Sequence, residues 1–176
     1  MGTLELIIGP MFSGKTKLLI EKYNNLYPKY HCLAINHSLD KRYGIGKIIS
    51  HDGLEIDSIL AENLDDIYDN NEKQLLFLKA KYIFINEAQF FKNLKDWINV
   101  VVNIMKKNVI LCGLDMDYKK DNFGEIMDLV PFATKIHKLQ GKCQYCDKPS
   151  LYSHRKNFNE NRILIGGSEE YIPVCE

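Results

Sequence analysis

The stretch Gly9-Pro10-Met11-Phe12-Ser13-Gly14-Lys15-Thr16 decides the fold. It satisfies G-x-x-x-x-G-K-[ST] at every fixed position. Upstream, Leu4-Glu5-Leu6-Ile7-Ile8 reads as a short buried strand; downstream, Lys17 to Tyr23 has apolar residues at helical spacing. Strand, glycine-punctuated turn and helix are the context that a phosphate-binding loop requires. The glycines let the backbone curl so that successive N–H groups face an anion, and the helix N-terminus adds its partial positive charge. In such a loop Lys15 reaches the outer phosphates and the Thr16 hydroxyl ligates Mg²⁺. The competing reading is a chance match in a tight strand-to-helix turn.

Composition narrows the classes. The chain has 176 residues, 45% hydrophobic and 26% charged, which suits one globular domain with a sizeable core and room for a small appendage. Its 23 basic and 23 acidic residues cancel. That balance argues against a partner recognised through a polyanionic backbone, so no nucleic-acid partner is expected, whereas a small nucleotide in a local pocket is compatible. No apolar run approaches the ~20 residues of a membrane span, and the N-terminus enters a strand directly. Neither a membrane partner nor a signal peptide is expected, and a cytoplasmic location fits. All basic residues except Arg42, Arg155 and Arg162 are lysine, so geometry is a reason to look for at each arginine.

Further along, His31 to Asn36 reads as a second strand, followed by a polar, glycine-punctuated loop from Ser38 to Gly46. A loop at the carboxyl end of such a strand lies on the ligand side, so Asp40 and Arg42 can face a nucleotide or be solvated charges. His51 by itself reads as a hydrogen-bonded structural histidine. Leu54 to Ile59 alternates like a strand, and Asn63 to Tyr68 reads as a short helix capped by Asn63. The run Lys81-Tyr82-Ile83-Phe84-Ile85 ends in Asn86-Glu87, the shape of a buried parallel strand delivering polar side chains to its tip. An acid at such a tip holds Mg²⁺ or activates a nucleophile; the alternative is a helix start favoured by Glu87. Asp96 to Lys107 reads as a core-packed helix, and Val109 to Leu114 as another buried strand ending at Asp115. Gly124 to Val130 reads as a short helix stopped by Pro131, and Ala133 to Leu139 as one more strand. Strands alternating with helices imply a parallel sheet.

Cys32 and Cys112 sit in apolar runs and are expected as small core residues, whereas Cys143, Cys146 and Cys175 suggest a metal. Cys143-Gln144-Tyr145-Cys146 supplies a pair of thiolates for one tetrahedral Zn²⁺, and Cys175 begins a second half-site. A full second pair would put its fourth ligand three residues past Cys175, beyond Glu176. A longer chain, three protein ligands plus water, and free thiols or a redox pair all stay open. Between these cysteines, Leu151 to Ser153 and Arg162 to Ile165 look like the two strands of a hairpin.

These segments together resemble the cellular-type (type II) thymidine kinases. The resemblance rests on Gly9 to Thr16, Asp40-Lys41-Arg42-Tyr43, His51-Asp52, Glu87-Ala88-Gln89-Phe90-Phe91, Leu114-Asp115, Phe123-Gly124 and Leu129-Val130-Pro131. It continues through the C-x-x-C pair, Ile165-Gly166-Gly167, Tyr171 and Val174-Cys175. It implies an α/β fold: a phosphate-loop, parallel-sheet nucleotide-binding domain over 1–140, and a small zinc-binding, zinc-ribbon-like domain over 141–176 whose lasso loop closes on thymidine. It also implies a homotetramer and feedback inhibition by thymidine triphosphate (dTTP). Carried over by position, Glu87 is the catalytic base, and Gly9, Pro10, Met11, Phe12, Ser13, Gly14, Lys15, Thr16 and Arg42 bind ATP. Met11, Tyr118, Phe123, Ile163, Ile165, Gly166, Gly167 and Tyr171 contact the nucleoside. Two departures stand out: Asn86 occupies a position where the family commonly has Asp, and the fourth zinc ligand lies beyond Glu176.

The activity so implied is transfer of the ATP γ-phosphoryl group to the thymidine 5′-hydroxyl, with Mg²⁺ and Lys15 offsetting charge. A phosphate-loop ATPase acting without a nucleoside, and a zinc-ribbon module binding nucleic acid, are the rival readings. The zero net charge counts against the latter.

Overall fold

From the N-terminus, the computed structural model forms β1 (Leu4–Ile8), helix α1 (Lys15–Leu26), β2 (Cys32–His37), a small hairpin of β3 (Lys47–Ile49) and β4 (Glu55–Asp57), then β5 (Ile59–Ala61). Helix α2 (Asn71–Lys79), β6 (Tyr82–Asn86), helix α3 (Leu94–Asn99), β7 (Asn108–Gly113) and β8 (Lys135–Lys138) follow. β9 (Gly141–Lys142) then pairs antiparallel with β10 (Pro149–Ser150), and β11 (Tyr152–Arg155) with β12 (Tyr171–Val174). The structure describes residues 1–40, 46–157 and 161–176. Among them, no helix is long and apolar enough to cross a membrane.

The central sheet has six strands in the order β5-β2-β6-β7-β1-β8, all parallel. Its inner strands are apolar on both faces because both are covered. Alternation along β6 sends Ile83 and Ile85 to one face and Phe84 to the other. Ile83 and Ile85 join Phe77 of α2 and Leu94, Trp97 and Ile98 of α3. Phe84 joins Ile7, Leu19, Ile20 and Tyr23, so α1 covers the second face. Phe84 is fully buried, and truncating it to Ala would cost about 3–5 kcal/mol. The phosphate loop is thereby anchored between a core strand and a core helix.

Several local expectations change. The alternating run at 54–59 is broken at Ser58: β4 turns back onto β3, while β5 joins the sheet edge beside β2. Asn63 does cap a helix, but one of 3-10 type over Leu64–Ile67, with the Asp66 carboxylate accepting the Glu62 and Asn63 N–H groups. Helix α2 carries no apolar stripe to announce it, since Leu75, Leu76 and Leu78 are exposed and only Phe77 is buried. The helix expected over 96–107 starts at Leu94 and loosens into a π turn over Val100–Ile104. Pro131 lies inside a 3-10 turn, Ile126–Phe132, rather than stopping it. The hairpin expected between 151–153 and 162–165 is not formed: β11 pairs with β12, placing Arg155 opposite Tyr171. The carbonyls at 161, 162 and 164 are taken by side chains instead, which removes them from any strand ladder.

Candidate functional site

Strand tips converge on one edge of the sheet. The carboxyl ends of β1, β2, β6 and β7 deliver Gly9–Gly14, Asp40, Asn86-Glu87 and the 114–118 segment to the crevice where a parallel sheet binds ligands. They open into one cavity of about 350 Å³. Met11 to Thr16, Asp40, Asn86 and Glu87 line one part of it. Met116 to Tyr118, Phe123, Ser153, Arg155, Arg162 to Gly166 and Tyr171 line the remainder.

In the phosphate loop, Gly14 takes φ +83° as the residue that starts α1, a conformation a side chain resists. Lys15 Nζ donates to the Pro10 carbonyl at 2.6 Å, and Ser13 Oγ donates to the same oxygen at 2.8 Å. The lysine ammonium thus lies on the rim of its own loop. The Thr16 hydroxyl faces Asn86 Oδ1 at 3.5 Å. Asn86 is buried and engaged through both ends of its amide: Oδ1 also accepts from the Cys112 thiol at 3.0 Å, and Nδ2 donates to Asn36 Oδ1 at 2.9 Å. Asn36 in turn donates to Asp40 Oδ2 at 3.4 Å. Burial pushes the Cys112 thiol up to about 12, so it stays a protonated donor. A hydroxyl, an amide oxygen and a nearby carboxylate are hard oxygen donors, the set that suits Mg²⁺.

Glu87 follows β6 in a left-handed conformation, φ +53°. Such a conformation costs a non-glycine residue about 1–3 kcal/mol and persists only where neighbours enforce it. Gln89 is the enforcing neighbour, because its Nε2 donates to Glu87 Oε2 at 2.6 Å while its Oε1 accepts the Leu114 N–H at 3.0 Å. The buried Gln89 fits because Gly113 and Gly124 have no side chain: a Cβ on either would come within 2.5 Å of it. The Glu87 carboxylate is therefore set by a side chain locked between the tip of β7 and the backbone at Gly124.

On the opposite part of the cavity, Tyr118 carries the Arg155 guanidinium over its ring, 3.7 Å from the centroid. Phe123 meets Phe90 edge to face at 5.6 Å. The Tyr171 hydroxyl donates to the Leu164 carbonyl at 2.9 Å and accepts from Arg155 Nη2 at 2.7 Å. Arg162 Nε donates to Asp117 Oδ2 at 2.8 Å, closing the 161–167 segment onto the 116–123 segment. Met11 N–H donates to Ser153 Oγ at 2.8 Å, which ties the phosphate loop to β11. His51 is exposed and meets Phe12 edge to face rather than being a hydrogen-bonded core residue.

The thiols of Cys143, Cys146 and Cys175 lie within 4.8 Å of one another, and Cys146 Sγ is 3.7 Å from Cys175 Sγ. Backbone N–H groups, that of Tyr145 first, pull the Cys143 thiol down to about 7, while hydrogen bonding to Cys146 holds Cys175 up near 11. Three converging thiols with one poised to ionise are chemically matched to zinc.

Residues 2–176 match the sequence profile of the thymidine kinase family. The chain belongs to the thymidine kinase family. It is 39% identical to the thymidine kinase of Amsacta moorei entomopoxvirus, over 98% of this chain and 95% of that protein. It is 36% identical to the thymidine kinase of Myxoma virus (strain Uriarra), over 99% and 94%. With the thymidine kinase of Oryza sativa subsp. japonica the identity is 32%, over 99% of this chain but 65% of that longer protein.

Within this thymidine kinase family member, most residues singled out from sequence share the cavity. Met11 to Thr16, Glu87, Tyr118, Phe123, Ile163, Ile165, Gly166 and Tyr171 line it. Gly9, Pro10 and Gly167 do not; the Gly167 carbonyl accepts from the Glu170 and Tyr171 N–H groups instead. Arg42 lies outside the described residues. Gln89, Asp117, Ser153 and Arg155 also shape the site, and the sequence reading assigns them no role. For Arg155 the scarcity of arginine was a signal; for Asp117 and Ser153 no local pattern exists.

Proposed function

We propose that this protein transfers the γ-phosphoryl group of ATP to the 5′-hydroxyl of thymidine, forming thymidine monophosphate in nucleotide salvage. One observation carries the reading: a phosphate loop and a conformationally forced carboxylate open into the same cavity as an aromatic- and backbone-lined wall large enough for a nucleoside. Phosphoryl transfer needs alignment and charge neutralisation more than covalent chemistry. Glu87, oriented by Gln89, accepts the 5′-hydroxyl proton as attack proceeds. Lys15 leaves the Pro10 carbonyl for the transferring phosphate. Tyr118 and Phe123 offer ring faces and edges to the base, and Met11 touches the nucleoside. Thr16 and Asn86 hold Mg²⁺, which neutralises phosphate charge when bound. The 161–167 segment acts as the lasso that excludes water.

Residues 1–140 form the nucleotide-binding domain and 141–176 the closing domain, stapled by zinc at Cys143, Cys146 and Cys175. A homotetramer, feedback inhibition by dTTP at the nucleoside position, phosphate contact by Arg42, and a cytoplasmic location belong to the same proposal. The test incubates the purified chain with ATP, Mg²⁺ and each nucleoside in turn. Thymidine monophosphate should form, and Glu87→Gln should lower kcat by roughly 10²–10⁴-fold with nucleoside binding retained. ATP hydrolysis unaffected by any nucleoside would sink the reading, and wild-type turnover in Glu87→Gln would remove Glu87 as the base.

A further inference from the structure

Arg155 is 5% exposed, a long cation taken almost wholly out of water. Such burial is costly unless the donors of the guanidinium fork are used. They are used on the lasso. Nη1 donates to the Asn161 carbonyl, Nη2 to the Arg162 carbonyl at 3.1 Å, and Nη2 and Nε both to the Tyr171 hydroxyl. That hydroxyl in turn donates to the Leu164 carbonyl at 2.9 Å. The Arg155 guanidinium carbon, Cζ, lies over the Tyr118 ring, 3.7 Å from the centroid. One side chain therefore holds the 161–162 backbone directly, the Leu164 carbonyl through Tyr171, and one aromatic wall of the cavity.

We infer that Arg155 is the positioning residue for nucleoside recognition. Through these bonds it sets where the 161–164 backbone and the Tyr118 ring stand when the nucleoside arrives. The inference rests on the proposed kinase reading for the identity of the ligand, though not for the ordering of the lasso. A planar fork is required by the geometry, because two carbonyls and the phenol are met by one guanidinium that also lies over a ring. A lysine ammonium keeps the charge but cannot hold several carbonyls and a stack together. Arg155→Lys thus separates charge from geometry.

The experiment compares wild type, Arg155→Lys and Arg155→Met by steady-state kinetics and by amide hydrogen exchange of the ligand-free proteins. Expected for both variants are a thymidine KM raised roughly 10–100-fold, as for loss of charge-assisted hydrogen bonds, a kcat within about threefold and an unchanged ATP KM. The preference for thymidine over deoxycytidine should narrow, and exchange should accelerate in 161–171 but not in the strands of the central sheet. Rescue of KM by Lys would overturn the inference, since charge alone would then suffice. So would wild-type exchange in the lasso, or equal losses in thymidine and ATP kinetics, which would mark a general packing role. If the wild-type protein phosphorylates no nucleoside, the kinase reading fails and the recognition role falls with it; the exchange data still decide whether Arg155 orders the lasso.

Discussion

Asn86→Asp restores a carboxylate beside Thr16, and its two effects on this protein should have opposite signs. In the ligand-free protein the change is harmful. Asn86 Nδ2 donates to Asn36 Oδ1 at 2.9 Å, so a carboxylate oxygen there would face an acceptor inside a buried site. Leaving such a pair unmade costs about 1–3 kcal/mol. Flipping the Asn36 amide would relieve the clash, but it surrenders two long bonds, to Asp40 Oδ2 and the Lys47 carbonyl at 3.4 Å each. Apo stability should therefore fall by about 1–3 kcal/mol. Mg²⁺ binding should improve. For a dication about 5 Å from the new charge, attraction even at the dielectric of water is about 1.7 kcal/mol, roughly fifteen-fold in Kd. Thermal denaturation without ligand reads the first effect, and Mn²⁺ or Mg²⁺ titration in the presence of a non-hydrolysable ATP analogue reads the second. Equal Kd values for the two proteins would refute the placement of the metal next to residue 86. An apo protein no less stable than wild type would refute the buried amide network.

Two other perturbations test the lasso latch and the sheet. Asp117→Asn keeps the Oδ1 bonds to the Lys119 and Asp121 N–H groups but removes the charge facing Arg162. Thymidine KM should rise about 3–10-fold at low salt with kcat little changed, and the gap to wild type should shrink at ~1 M salt, because Arg162 is half exposed and screened. Glu5 lies between Lys22, at 2.7 Å, and His137. Burial raises its pKa, yet the hydrogen bonds from Lys22 and His137 outweigh burial and hold it below the ordinary carboxylate value. A depressed acid stabilises above its unfolded pKa and loses that contribution as pH falls through the folded value. Glu5→Gln should cost about 1–2 kcal/mol at pH 7, with the two denaturation midpoints converging as the pH falls below the ordinary carboxylate range.

What was legible in the sequence is what neighbours along the chain determine. The phosphate loop is complete within Gly9 to Thr16, and β6 announces both its burial and its polar tip within Tyr82 to Glu87. The parallel sheet followed from strands alternating with helices. What escaped is set by distant pairing. Arg155 and Tyr171 are cross-strand partners 16 residues apart, and their side chains consume the carbonyls that a hairpin at 162–165 would have needed. Helix α2 escaped because its leucines face outward, leaving no periodic stripe. Asp117 reads locally as an Asx turn, through Lys119 and Asp121; its pairing with Arg162 spans 45 residues and leaves no trace in spacing.

The joint between the two parts of the site is built of different contacts from those that hold the 161–167 segment. Contacts of the loop with the C-terminal part are short and neutral: Met11 N–H on Ser153 Oγ, and Gly141 against the Phe12 carbonyl, where a Cβ would sit at only 3.2 Å. Gly9 is pressed still harder on the end of the last sheet strand, since a Cβ there would come 2.4 Å from the Leu139 carbonyl. Close backbone packing of this kind resists sliding, because overpacking by one methyl already costs about 1–3 kcal/mol. The lasso, by contrast, is held by side chains from one buried arginine, one tyrosine and one half-exposed ion pair. Hydrogen bonds of that number can break and remake while β11 stays seated on the phosphate loop. On the proposed kinase reading, the 161–167 segment is the part that opens for the nucleoside and the phosphate loop the part that stays rigid.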